Sequence, residues 1–177
     1  MKKLVILIAI VVAPMYMSAQ DAFDSFEFER EVSSVVVTKN MFKLLSQLDL
    51  ESNDIESKEY LELVNNLDNI KIYSTENEEV GARMDVAVAT YLSQSPGLSE
   101  LMRVKDSGKN IKFYSRNGES DNYVSELLMH FTGNIDGDDR TIIMKITGNI
   151  DLKKISKLTS ELNMPGSEEL KNINSEN

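Results

Sequence analysis

The sequence predicts an α+β domain: a mostly antiparallel sheet of five to six strands with helices packed on one face. Three observations support this class. Four short segments between residues 100 and 147 alternate apolar and polar side chains, which is the period of a half-buried strand. Turns containing Gly and Asn join them, so they are expected to form a C-terminal four-strand meander. Segments with helical spacing lie before and after this meander.

The elements before the meander begin with a strand. Residues 32–37 are rich in β-branched side chains, which predicts a short buried strand. Thr38 is expected to cap a helix, and a second helix is expected from Ser57. Residues 70–73 then alternate as a strand. The apolar positions of the two helices are Met41, Leu44, Leu45 and Leu48, then Leu61, Val64 and Leu67.

The longest predicted helix follows that strand. Thr75 and Glu78 have the spacing of a capping box, and residues 95–97 (Ser-Pro-Gly) are expected to end the helix. The meander strands are predicted at 100–106, 110–116, 123–132 and 141–147, and Asp151 is expected to cap a final helix. The apolar positions of the longest helix are Val80, Met84, Ala87, Val88, Tyr91 and Leu92.

The N-terminal segment has the features of a secretory signal peptide. Two lysines precede a short apolar run that ends in Ser18-Ala19, and the run is too short to span a bilayer. Residues 1–19 are therefore predicted to be removed. Residues 20–31 are expected to form an arm that packs phenylalanines on the domain, 32–163 a single domain, and 164–177 a polar flexible tail.

Composition restricts the classes of partner. Removing two lysines leaves 17 basic and 29 acidic residues, so the net charge would change from −10 to 17 − 29 = −12. An acidic chain disfavours nucleic acid, and the absence of cysteine excludes disulfides, a thiol nucleophile and a lipidated cysteine. We expect a soluble exported protein, periplasmic or extracellular, which is not a lipoprotein, has no membrane span after cleavage and uses no cofactor.

Alternation also assigns the meander side chains to two faces. One face is apolar and is predicted to be the core: Ile111, Phe113, Leu127, Met129, Phe131, Ile142, Met144 and Ile146. The other is basic and aromatic, with two apolar residues, Leu128 and Ile143, that would form an exposed patch if the face were uncovered.

The basic face suggests a recognition surface. An open sheet of this kind would bind an anionic envelope component or an envelope protein through its cations, with tyrosines stacking or hydrogen bonding. The alternative is a solvated face with cross-strand pairs, such as one to Glu126. The candidate binding residues are Tyr73, Arg103, Lys105, Lys112, Tyr114, Arg116 and Lys145.

Two weaker candidates carry other chemistry. His130 is the single histidine, and it would serve a hydrolase acting on an envelope component if carboxylates lay nearby. The alternative is a solvated cross-strand partner. Asp136, Asp138 and Asp139 bring carboxylate oxygens close together in sequence, as calcium-binding loops do. The segment lacks the twelve-residue pattern and the closing glutamate of an EF-hand, so an acidic hairpin tip is the simpler interpretation.

Several segments of the sequence resemble those of a known family. They are the signal ending in Ser-Ala-Gln and residues 34–42, 100–106 and 146–152, which are similar to the exported bacteroidete domain-of-unknown-function family 4252. The resemblance implies a periplasmic or secreted protein of a Gram-negative cell and brings no catalytic residues. The leading hypothesis is therefore an exported non-catalytic binding or interaction module of the cell envelope, with the hydrolase as the alternative and the oligomeric state open.

Overall fold

The computed structural model describes residues 21–48, 62–120 and 122–154. Residues 62–65 and 152–154 are helical, and Asp24–Phe26 forms one 3-10 turn. The principal elements are β1 (Ser33–Thr38), α1 (Lys39–Leu48), β2 (Leu67–Thr75), α2 (Glu78–Gln94), β3 (Leu98–Asp106), β4 (Lys109–Asn117), β5 (Tyr123–Ile135) and β6 (Asp138–Asp151).

The strands form one antiparallel sheet in the order β1-β2-β6-β5-β4-β3. The predicted α+β class, the antiparallel sheet and the C-terminal meander are confirmed, since β3 to β6 are neighbours in sequence and in space. β6 lies inside the sheet because it pairs with β5 on one side and with β2 on the other. β1 and β3 are the two edges.

The predicted apolar face is the larger core of the protein. Phe113 lies opposite Met129, which lies opposite Met144, so the three side chains form a row across β4, β5 and β6. Phe42 of α1 and Leu63 of the 62–65 helical segment pack against this face. All five are buried. We call this side of the sheet the α1 face.

The opposite side, here called the α2 face, is also covered. Tyr73, Ile143 and Leu128 are fully buried there against Met84 of α2 and Phe23 of the N-terminal arm. The prediction that the helices pack on one face of the sheet is therefore wrong, because helices cover both faces. A central strand with apolar side chains on both faces needs cover on both, and Leu128 and Ile143 supply the second apolar set.

Helix α2 agrees with its predicted stripe but not with its predicted cap. All six apolar positions pack in the α2-face cluster. The N-cap is Asn77, whose side-chain oxygen accepts the Val80 N–H at 3.1 Å. Thr75 remains in β2, where its hydroxyl donates to the Glu31 carbonyl. The helix ends at Ser95, as predicted.

The first strand and helix are more exposed than predicted. β1 is an edge strand, and Val35 is 52% exposed, so the expectation of a buried strand is wrong. In α1, Phe42 is buried, whereas Met41 and Leu44 are exposed. Thr38 is the last residue of β1, directly before α1. The side chains of residues 45 and 48 lie outside the described part.

The β5–β6 hairpin is longer than predicted. Its turn consists of Asp136 and Gly137, both with positive φ, so Ile135 pairs directly with Asp138. The residues expected to form a loop from 133 to 139 therefore mostly extend the two strands. A two-residue turn of this kind matches the twist of the flanking strands better than a longer loop.

The repeated peptide Thr-Gly-Asn-Ile-Asp has a shared structural role. Gly133 and Gly148 have φ of 147° and 138°, values that favour glycine. At each position another backbone segment passes where a side chain would lie: residues 108–109 beside Gly133 and residues 66–68 beside Gly148. The repeat therefore marks two points where chain segments pack backbone to backbone.

Some predictions fall outside the described residues. They are the signal peptide, the helix start at Ser57, the final helix beyond Lys154 and the polar tail. Asp151 ends β6, and its carboxylate accepts the Lys153 N–H at 2.9 Å, so the start of a helix at 152 agrees with the expected cap. Within the described ranges, no helix is long and apolar enough to cross a membrane.

Candidate functional site

The predicted binding residues separate into a buried pair and an outer group. Tyr73 is fully buried and Lys145 is 7% exposed, because α2 and the arm lie over them. The premise of an open sheet is therefore wrong at the central strands. The other candidates, on β3 and β4, are Arg103 and Lys105, which are exposed, and Lys112, Tyr114 and Arg116, which are partly buried.

Lys145 lies within a buried ionic cluster. Its ammonium is 3.2 Å from the Asp21 carboxylate, 3.8 Å from that of Glu126 and 4.6 Å from the centre of the Tyr91 ring. The Tyr91 hydroxyl donates to Glu126 at 2.6 Å. Asp21 also pairs with Lys71 at 3.3 Å, so one arm carboxylate holds two lysines from two strands.

The pKa values in this cluster follow the ion pairs. Burial acts to raise the pKa of Asp21, but its pairing with Lys145 and Lys71 outweighs burial and lowers the pKa. Burial acts to lower the pKa of Lys145, but the Tyr91 contact and the charges of Asp21 and Glu126 raise it. Asp21 and Lys145 are therefore charged at neutral pH, and their pairing fastens the arm to the sheet.

Two of the outer candidates also have structural partners. The Arg116 guanidinium lies 3.3 Å from Glu126 and donates to the Pro96 carbonyl. Tyr114 packs at the border of the α2-face cluster, where burial and then the charge of Glu100 raise its pKa. Both side chains therefore support the fold, and neither is a free recognition group.

Three cations remain accessible, and we call them the basic edge: Arg103, Lys105 and Lys112. Arg103 lies opposite Lys112 across β3 and β4, and it pairs with Glu100 at 2.7 Å. Lys105 and Lys112 make no ion pair within the described residues. The basic edge therefore carries two uncompensated positive charges on an acidic chain.

His130 lies next to the basic edge and has an acidic partner. It is opposite Lys112 on β4, and its Nε2 is 2.8 Å from the Asp85 carboxylate on α2. Burial lowers the pKa of His130, and Lys112 adds to this effect, whereas the bond to Asp85 opposes it; the net shift is downward. The imidazole is therefore neutral at pH 7.

Asp85 also lines a groove of about 680 Å³ between the start of α2 and the hairpin ends, here called the hairpin-end groove. Thr132, Thr141 and Thr75 lie side by side across β5, β6 and β2 and line it. Lys105 belongs to the same row, since it faces Asn110, which faces Thr132. A row of hydroxyls thus leads from the groove to the basic edge.

The comparisons with known proteins identify a family. The sequence profile of DUF4252, a domain of unknown function, matches residues 26–158, which are 133 of the 177 residues. The chain belongs to the DUF4252 family. The resemblance noted in the sequence is thereby confirmed. Neither the curated proteins nor the solved structures provide a match.

The acidic hairpin tip of this DUF4252 domain does not form a ligand cluster. Asp136, Asp138 and Asp139 are exposed, and Asp139 accepts a hydrogen bond from the Asn134 amide at 3.2 Å. Among the described residues, no three His, Cys, Asp or Glu side chains are grouped so that they could hold a metal ion.

Sequence reasoning missed the hairpin-end groove and the Asp85–His130 contact in the DUF4252 domain. The two residues are 45 positions apart, so no local pattern joins them. The threonines at 132 and 141 were the available signal, because each lies at an end of a predicted strand, whereas Thr75 was predicted to cap the longest helix. Their alignment in one row depends on the pairing of β2 with β6.

Proposed function

We propose that this DUF4252 domain is an exported, non-catalytic binding module of the cell envelope that recognises an anionic ligand. The observation that carries the proposal is the pair of uncompensated lysines, Lys105 and Lys112, beside a polar groove. Both lysines lie on strands whose backbones are held in place by pairing. They supply attraction and orientation for an anionic group.

The groove adds a second kind of contact. The hydroxyls of Thr132 and Thr141 and the Asp85 and Asp139 carboxylates suit a ligand that also carries hydroxyl groups. Arg140 pairs with Glu76 at 2.6 Å on the far side of the groove. An acidic polysaccharide combines both features, since its carboxylates would meet the basic edge and its hydroxyls the groove.

Export rests on the sequence. Lys2 and Lys3, the apolar run after them and the small residues at 18–19 support a cleaved signal. The same features support a soluble location outside the cytoplasm. A direct test is mass spectrometry of the exported protein, which should begin at Gln20; an intact residue 1–19 segment would contradict it.

The binding proposal is tested by charge reversal at the basic edge. The double variant Lys105→Glu and Lys112→Glu should bind polygalacturonate roughly tenfold or more weakly than the wild type, because two attractions become repulsions. Binding should also weaken with added salt. Calorimetry is carried out with polygalacturonate, with dextran as its uncharged control, and with vesicles containing phosphatidylglycerol, with phosphatidylcholine vesicles as their control. The comparison distinguishes a polysaccharide ligand from a lipid ligand.

The charge-matched control is the double variant Lys153→Glu and Lys154→Glu, at the opposite end of the β5–β6 hairpin, where Lys154 pairs with Glu62 at 2.7 Å. It changes the net charge equally and should leave binding intact. Lys145 is unsuitable for this test, because a glutamate there would lie beside Asp21 and Glu126 in the buried cluster. Equal weakening by both double variants, or no binding of either acidic probe by the wild type, would contradict the proposal.

A second candidate function is hydrolysis, and the Asp85–His130 contact favours it. A neutral imidazole oriented by a carboxylate can take a proton from water as the water oxygen attacks the carbonyl carbon of an ester, and the imidazolium can return that proton to the leaving alkoxide. His130→Gln should then abolish hydrolysis of 4-nitrophenyl acetate. Activity that survives in His130→Gln would remove this candidate, as would an inactive wild type.

A further inference from the structure

The two edges of the sheet are built differently. β3 carries the charged residues Glu100, Arg103, Lys105 and Asp106, and its pairing with β4 is interrupted by a bulge. Such charges and bulges prevent an edge strand from pairing with another chain. β1 has the sequence SSVVVT, with no charge and no proline, and its register with β2 is uninterrupted. β1 therefore lacks every feature that protects β3.

Exposed apolar side chains are concentrated beside this unprotected edge. Among the described residues, six large apolar side chains are exposed, and four of them lie within the ten residues from 35 to 44. Val35 and Val36 belong to β1, and Met41 and Leu44 belong to α1, which follows directly. Clustered apolar exposure of this kind marks an interaction surface, whereas isolated exposed residues do not.

We propose that β1 pairs with β1 of a second copy, so that two six-stranded sheets join across a twofold axis. A second copy brings the same unprotected strand, and antiparallel pairing about a twofold axis keeps the two faces of each sheet continuous. Only registers that place a residue opposite its own copy meet the hydrogen-bond pattern. An axis at Val35 or at Val36 pairs five of the six residues of β1, more than any other axis along the strand.

Charge selects the axis at Val35. In that register, paired residue numbers within β1 sum to 70, so Lys39, the first residue of α1, lies near the partner's Glu31 just beyond the paired strands, and the same approach occurs twice in the dimer. Lys39 and Glu31 are both exposed. With the axis at Val36, Lys39 would face the partner's Ser33, and no opposite charges would align. Lys39 also pairs with Asp68, in a contact exposed to solvent.

A cross-linking experiment tests the register directly, because the chain has no cysteine. The protein from Gln20 to Asn177 with Val35→Cys should form a disulfide dimer under mild oxidation. Residues opposite each other in a sheet have Cα atoms about 4.5–5.5 Å apart, within disulfide range. Thr38→Cys should not cross-link, since its copies would lie six residues apart along the strand, or about 20 Å.

Sedimentation equilibrium tests the association itself. Wild type should be dimeric, Val35→Lys should be monomeric, and Val86→Lys, at an exposed valine on α2, should remain dimeric. Glu31→Lys or Lys39→Glu alone should weaken the dimer about fivefold, and the double swap should restore it. The double charge swap leaves the sequence of β1 unchanged, so it still tests the dimer if the Val35→Lys protein does not fold.

Several outcomes would overturn the proposal. A wild type that is monomeric at its highest attainable concentration excludes the dimer and indicates that another segment of the chain or a different partner covers β1. Stronger cross-linking through Val36→Cys than through Val35→Cys excludes the register. A dimer that survives Val35→Lys but is lost in Val86→Lys places the interface on α2.

Discussion

At the scale of single residues, the buried Tyr73 and the partly buried Tyr91 on the α2 face differ in whether the hydroxyl group has a hydrogen-bond partner. The Tyr73 hydroxyl is buried without a hydrogen-bond partner among the described residues, and burial raises its pKa to about 12. The Tyr91 hydroxyl donates to Glu126 at 2.6 Å and orients the carboxylate beside Lys145. The Tyr73 hydroxyl therefore destabilises the fold, whereas the Tyr91 hydroxyl is part of the buried ionic cluster.

Replacing each tyrosine with phenylalanine should therefore have opposite effects. Tyr73→Phe removes an unpartnered polar group and should leave the free energy of unfolding unchanged or raise it by about 1 kcal/mol. Tyr91→Phe leaves the buried Glu126 with one donor fewer and should lower it by about 1–3 kcal/mol. Urea unfolding of both variants measures the contrast, and equal losses would show that Tyr73 has a hydrogen-bond partner.

At the scale of elements, the N-terminal arm is an integral part of the domain. Phe23 is fully buried and stacks edge-on against Tyr91, with ring centres 5.2 Å apart. Phe28, five residues later, is 86% exposed. The arm was expected to pack its phenylalanines, and the structure agrees for Phe23 and Phe26 but not for Phe28. Without the arm, Lys71 would lose both of its carboxylate partners, and Lys145 would keep only Glu126.

The two phenylalanines provide a matched test of the arm. Phe23→Ala should lower the free energy of unfolding by about 3–5 kcal/mol, because it leaves a cavity between the arm and α2. Phe28→Ala should change it by no more than about 0.5 kcal/mol. Thermal unfolding compares them, and hydrogen exchange of the arm amides should accelerate in Phe23→Ala alone. Equal stability of the two variants would mean that the arm is dispensable.

At the scale of the whole molecule, buried titratable groups give the fold a pH range. The pKa of His130 is lowered from 6.5, so the unfolded chain takes up this proton more readily and stability falls as the pH drops below about 6.5. The pKa of Asp21 is lowered from 3.8, so its stabilisation persists above 3.8 and is lost as the pH falls through the folded value. Lys71 and Lys145, whose pKa values are raised above 10.5, stabilise the fold until the pH rises through their folded values.

Acid should therefore destabilise the protein in two stages. Removing the first stage with His130→Gln should flatten the dependence of the urea midpoint on pH between about 7 and 5, while the loss near pH 3–4 remains. Midpoints measured from pH 8 to pH 3 for both proteins test this. Parallel curves throughout would show that His130 is not buried against Asp85 in solution.

Sequence patterns predicted the local arrangement well, but they did not predict which surfaces are covered. Alternation assigned Phe113, Met129 and Met144 to one face because that assignment needs only neighbouring residues. It did not place α2 and the arm over Lys145, since that contact joins Asp21 to a residue 124 positions away. The same limit hid the partner of His130. The two apolar residues on the supposed outer face, Leu128 and Ile143, were the sign that it is covered.

The strand order has a consequence for how the chain folds. β3 to β6 can form successive hairpins, which are local and fast, whereas β2 has only the edge strand β1 to pair with until β6, the last strand in the sequence, is made. During synthesis, the first two strands and both helices therefore leave the ribosome without a sheet to join. We expect the N-terminal half to remain unfolded until the chain is nearly complete. A chain that is still unfolded can pass through a narrow channel before it folds.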